Sequence, residues 1–237
     1  MAEPDPAAPA PALVTLDLWA VPAVRVPSAL LRMALDRRLV RRAGGLRFAK
    51  LLGTGNGRTF TPRDADPLRW GLLATWESAE AAAAFERSGT VTAWSRISAE
   101  RLRVAMRPIA SRGRWSRQEP FGRPTPRPHP GPVAAITRAR VAPRKAATFW
   151  RAVPPVSAEL QSSPGLRLAV GIGEAPLGLQ GTFSLWESAD AIREFAHRRA
   201  PHVEAIRRTA VEGWYAEELF ARFAVLHVTG TFAGQRP

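Results

Sequence analysis

Residues 183–214, FSLWESADAIREFAHRRAPHVEAIRRTAVEGW, decide how this chain is read. Phe183 to Trp186 reads as the end of a strand. Ser188 follows as a helix N-cap, because its hydroxyl can accept from an unpaired first-turn amide. Ile192, Phe195 and Ala196 then recur at helical spacing. Pro201 interrupts, since it has no amide to donate to the preceding turn. It also opens a second helical piece, where proline suits the first turn. His202, Ala205, Ile206 and Thr209 share one face of that piece. His202 thus falls in a first helical turn, where partial positive charge favours neutral imidazole, the metal-binding form.

The stretch has a partner. Residues 75–85, TWESAEAAAAF, match residues 185–195, LWESADAIREF. In that register Thr92 lies opposite His202, so only the second copy offers an imidazole there.

The remaining sequence repeats one order of elements. Strands are expected at Leu13–Ala20, Leu46–Leu52, Leu68–Trp76 and Glu100–Ile109, with helices at Ser28–Arg42 and from Ser78 to about Ile97. The first helix places Leu30, Leu31, Ala34 and Leu35 on one face, and Gly44–Gly45 stops it. The second has a break near Gly89. The order β-α-β-β-α-β then recurs. Strands fall at Val133–Arg140, Leu166–Val170, Leu179–Trp186 and Glu217–Val228, and helices begin at Arg144 and Ser188. This divides the chain into a leader (1–12), a first ferredoxin-like repeat (13–119), a Pro-rich connector (120–132) and a second repeat (133–232). Each repeat makes a four-stranded antiparallel sheet with helices on one face. The other two faces must bury each other. The expected fold is therefore α+β, two tandem repeats forming a dimeric-type α+β barrel within one chain.

Composition narrows the chemistry. Of 237 residues, 46% are apolar, enough for a packed core. The absence of cysteine excludes disulfides, iron–sulfur clusters and thiolate ligation. No run of about 18 apolar residues suggests a bilayer span. The leader MAEPDPAAPAPA has acids where a signal peptide needs positive charge, so it reads as the disordered start of a cytoplasmic protein. The net charge is +14, almost all from arginine, with lysine only at 50 and 145. Such a charge favours anionic surfaces, though it also fits an arginine-rich codon bias. The lack of a dense basic block argues against nucleic acid. Peripheral contact with a membrane, and self-association, stay open.

Few residues stand out for catalysis. His129 lies in the connector and is expected in solvent; His227 ends a strand and could face either way. His197 precedes His202 across Pro201, which spoils a helical zinc pair. Taken alone, His202 reads most simply as a helix-start histidine bonded to a carboxylate or water. GTGNG, residues 53–57, lacks the Lys-Ser/Thr ending of a phosphate loop and reads as a hairpin connection. The tryptophans read as core.

RGRWSRQEPF (112–121), FTPRDADPLRWGLLATW (60–76), GPVAAITRA (131–139) and EGWYAEELFARF (212–223) resemble the spheroidene monooxygenase family, carotenoid ketolases of purple-bacterial pigment pathways. The resemblance runs from about Val14 to Thr231. It implies a haem-dependent enzyme that oxidises an apolar polyene with dioxygen, placing oxygen at a CH2 to give hydroxy and keto products. It also implies a ferredoxin-type electron donor. Haem enzymes built on duplicated ferredoxin-like barrels hold one haem between sheet and helices of one repeat, above a helical histidine. By that analogy His202 is the expected axial ligand of a haem b, and Thr92 leaves the first repeat empty. Arg138, Ser184 and Arg222 are distal candidates by position, and other arginines could pair the propionates. Two further readings compete. One is a haem barrel acting on a small nitrogenous substrate, aldoxime dehydratase-like or peroxidase-like. The other is a non-catalytic basic binding module.

Overall fold

Leu13–Ala20 (β1) buries Val14, Leu16 and Leu18 on one side, and Thr15, Asp17 and Trp19 on the other. A strand buried on both faces must lie between two layers. A computed structural model, which describes residues 9–55, 64–141, 160–174, 181–198 and 215–237, shows those layers. Seven further strands join β1: Leu46–Gly55 (β2), Ala65–Trp76 (β3), Glu100–Gly113 (β4), Val133–Val141 (β5), Leu166–Gly173 (β6), Gly181–Trp186 (β7) and Tyr215–Gly230 (β8). All pairings are antiparallel, and the ring closes in the order β1-β3-β2-β6-β7-β5-β8-β4. The expected barrel is observed.

The two halves meet at unequal seams. β4 and β8 pair from Leu102–Gly230 to Gly113–Leu219, whereas β2 and β6 pair only over Gly53–Gly173 to Gly55–Gly171. Inside the ring, Leu16, Leu18, Leu52, Leu73, Phe183 and Phe223 belong to one continuous apolar core. The barrel is therefore filled.

Helices cover the first half's outer face. They are Val26–Arg41 (α1), Ala79–Glu86 (α2) and Gly89–Ile97 (α3). Ser78 caps α2 by accepting from the Ala81 amide, and Ser88 caps α3 by accepting from Val91. That fresh cap explains the break expected near Gly89. In the second half, Ala189–Arg198 (α4) is capped by Ser188, which accepts from Ala191 as the sequence predicts. Trp76 stacks against Phe85, and Trp186 against Phe195, at matching repeat positions.

Several expectations need correction. In α1 the sheet-facing residues are Ala29, Met33, Asp36 and Val40, while Leu30, Leu31, Ala34 and Leu35 face solvent. Short and flexible side chains let the helix approach a sheet already lined by Trp19 and Trp70. The connector is not all solvent-borne, since Phe121 is buried and packs edge-on to Phe223 at 4.8 Å. Its His129 is half-buried, with Nε2 shielded from solvent; His227 is exposed. Strands β2 and β3 extend past their expected ends, which shortens the loop between them. His202, Pro201, the second helical piece, the helix expected from Arg144, and most of the leader lie outside the described residues. Among the described residues, no helix is long and apolar enough to cross a membrane.

Candidate functional site

The outer faces of the two half-sheets differ where the fold makes them equivalent. Trp76 and Trp186 each pair with the first residue of the neighbouring strand, Leu13 and Val133, which fixes the correspondence. One cross-strand row of the first half reads Leu51, Leu72, Asp17, Arg103. The same row of the second half reads Gly171, Thr182, Thr137, Phe220. Trp19 likewise corresponds to Ala139.

The first half fills this face. Trp19 stacks on Trp94 at 5.2 Å. Asp17, 1% exposed, binds Arg101 at 2.6 Å and Arg103 at 2.8 Å, and Glu86 closes the cluster from α2. Burial pushes the Asp17 carboxyl up, against the opposing pull of Arg103 and Arg101. The second half has small residues instead. Thr137 is exposed, and Ala135, Ala169, Thr182 and Phe220 are only half-buried. Among the described residues, small or half-buried side chains make this face of the second half-sheet a shallow cradle.

The three distal candidates do not converge. Ser184 and Arg222 both flank Ala135 across neighbouring strands, so they share the cradle's face. Ser184 Oγ accepts from Trp186 Nε1 at 2.9 Å, while Arg222 is exposed. Arg138 lies on the opposite face, in step with the core residues Ala134 and Ile136. His202 lies outside the described residues, in the segment between α4 and β8. Among the described residues, no group of three or more His, Asp or Glu is placed to hold a metal ion.

Arg138 instead belongs to a charged cluster at one end of the barrel, which the sequence reading missed. Its guanidinium binds Glu217 at 2.9 Å and Glu174 at 3.1 Å, and lies over the Trp115 ring. Glu174 also accepts from Trp115 Nε1 at 2.7 Å and Lys50 Nζ at 2.6 Å. Burial alone would raise its pKa. The bonds from Lys50 and Trp115, with the charges of Lys50 and Arg138, outweigh that and hold it below the usual carboxylate value. The turn Trp115–Gln118 closes over this end. Ser116 and Arg117 adopt left-handed φ of 53° and 64°, aiming both amides at the Glu217 carboxylate. A recess of about 550 Å³ remains, lined by Ser116, Arg117, Arg138, Arg140, Glu174 and Glu217.

The same device recurs in the other half. The turn Phe232–Gln235 binds Glu100, which accepts from Gly234, Ala233 and Thr231, and Arg69 lies over the Phe232 ring. Each repeat thus sends its last turn onto the carboxylate of the other. The signal was present in the sequence. Gly113, Trp115 and Gln118 are spaced as Gly230, Phe232 and Gln235 are, and Glu100 and Glu217 stand at the same offset.

The chain is 35% identical over 215 residues to the spheroidene monooxygenase of Rhodobacter capsulatus, covering 90% of this chain and 89% of that protein. The chain belongs to the spheroidene monooxygenase family. It is a monooxygenase of that kind. The spheroidene monooxygenase of Rubrivivax gelatinosus is 40% identical over 193 residues, which cover 81% of this chain and 73% of that protein. No family model matches the chain. Among solved structures, an aldoxime dehydratase superposes with a TM-score of 0.57 at 10% identity, over 90% of this chain and 80% of that one. At that identity the likeness concerns the fold alone.

Proposed function

We propose that the protein is a haem-dependent monooxygenase that places oxygen at a CH2 of a carotenoid or similar apolar polyene. The observation that carries this is the unfilled outer face of the second half-sheet, in a chain whose kinship runs almost end to end. The filled interior and the charged barrel end both suit an elongated apolar molecule poorly. The cradle suits one better.

Haem b would be held against the face of Gly171, Thr182, Thr137 and Ala139, and His202 would supply a nitrogen to its iron. When bound, it supplies the activation of dioxygen, with electrons from a ferredoxin-type donor. The protein's own groups bind and orient. Ser184 Oγ already accepts from Trp186, so its hydroxyl proton is the group it can offer. Arg222, at the exposed margin, can pair a propionate or other carboxylate. Phe220 and the alanines exclude water from one side. With no cysteine in the chain, thiolate ligation of the iron is excluded, which leaves room for a histidine.

The test is the pyridine haemochrome of protein purified from haem-supplemented cells and after reconstitution. Near-stoichiometric haem b is expected, strongly depleted by His202→Ala, together with oxygenation of a polyene when a ferredoxin system is supplied. A colourless protein after reconstitution, or a His202→Ala variant with an unchanged Soret band, overturns the proposal.

A further inference from the structure

Helix α1 turns its larger apolar stripe to solvent. Leu31 is 60% exposed, Leu35 57% and Leu39 51%, and Val24, just before the helix, is 80% exposed. They lie away from the face held down by Ala29, Met33 and Val40. A lone exposed leucine is ordinary, but a continuous stripe on one helix is not. Arg25, Arg32, Arg38 and Arg42 flank it along the helix. The only acid between residues 22 and 42 is Asp36, which is buried and bonded to Arg32 at 3.3 Å. An apolar stripe with a basic rim and no accessible carboxylate is the pattern of a helix lying in a membrane surface.

We propose that α1 docks the protein on an anionic phospholipid surface. Leu31 and Leu35 enter the boundary between headgroups and acyl chains, and the arginines meet the phosphates. Charge selects this occupant over two others. A second copy of the chain would set one arginine rim against another. An acidic soluble protein would answer the arginines and leave the leucines in water. The net charge of +14 adds attraction at longer range. Arg37 Nη2 also donates to the Glu174 carbonyl at 3.3 Å, tying α1 to the end of β6. The inference does not depend on haem, because vesicle binding is read with or without it.

The full chain is co-sedimented with vesicles of phosphatidylcholine alone, and of phosphatidylcholine and phosphatidylglycerol in equal parts. Partition is expected only into the anionic vesicles, weakening as salt rises. Leu31→Glu with Leu35→Glu should lower partition at least about tenfold, with unchanged circular dichroism, since neither side chain is part of the core. Leu31→Ser with Leu35→Ser serves if the acidic pair fails to fold. Arg38→Glu with Arg42→Glu should also lower it and flatten the salt dependence. Absent or headgroup-independent binding overturns the proposal. So does loss with the arginine pair but not the leucine pairs, which would indicate a soluble acidic partner. A dimer in sedimentation equilibrium that Leu31→Glu dissociates would assign the face to a second copy instead.

Discussion

Glu174 shows how much one carboxylate can hold together. Lys50, Trp115 and Arg138 all reach it, from two other strands and the turn beyond β4. Its lowered pKa sets the sign of a pH effect. The folded state binds its proton less tightly than the unfolded chain does. The stabilisation is therefore complete above the unfolded value, about 4.3, and is lost as pH falls through the folded pKa. Glu174→Gln should cost about 1–2 kcal/mol at pH 7, measured by urea denaturation, and the gap to wild type should close as pH falls through the folded pKa of Glu174. Asp17 has a different role, filling the first half where the second is open. Asp17→Ala leaves two arginines beside Glu86 without their buried partner. A loss of about 3 kcal/mol in the same assay is expected. None of these contacts was legible in advance. Lys50, Arg138 and Glu217 come from three strands and Glu174 from the residue after a fourth, so no local pattern brings them together.

At the scale of the element, the two closing turns are the least expected feature. Gly113 has a φ of +89°, and a Cβ there would lie 2.2 Å from the Glu218 carbonyl oxygen; Gly230 meets Arg101 in the same way at 2.0 Å. Only glycine lets the chain leave β4 and β8 so close to the neighbouring strand. Arg117 sits in the left-handed region without that freedom. Arg117→Gly should raise stability by about 1 kcal/mol in thermal melts if the turn is only a strap; a fall would mean its side chain contributes. The strands and caps were readable because alternation and Ser N-caps are local signals. The buried face of α1 was not. Its sequence carries two apolar stripes, and periodicity reports a stripe without saying which one meets the sheet. The bulkier stripe lost because the Trp-lined sheet left room for Ala29, Met33 and Val40.

The whole molecule is a ring made of two copies that have parted ways on their outer surfaces. Duplication was legible from the WES repeat and its flanking strands, and so was the barrel, because two apolar sheet faces have to be covered. The asymmetry of the outer faces was visible only as Thr92 against His202. The strand register shows it more broadly, with Gly171, Thr182 and Ala139 standing where the first half has Leu51, Leu72 and Trp19. Side-chain size on that face, besides the iron's own ligand, should then govern which half can accept a flat ligand. The most direct measurement is haem stoichiometry after reconstitution of Gly171→Leu with Thr182→Leu, which gives the second face the residues of the first, alongside wild type. Wild type should bind close to one haem, and the double variant should bind little while keeping a folded barrel by circular dichroism. Equal haem in both proteins would contradict the assignment of the cradle.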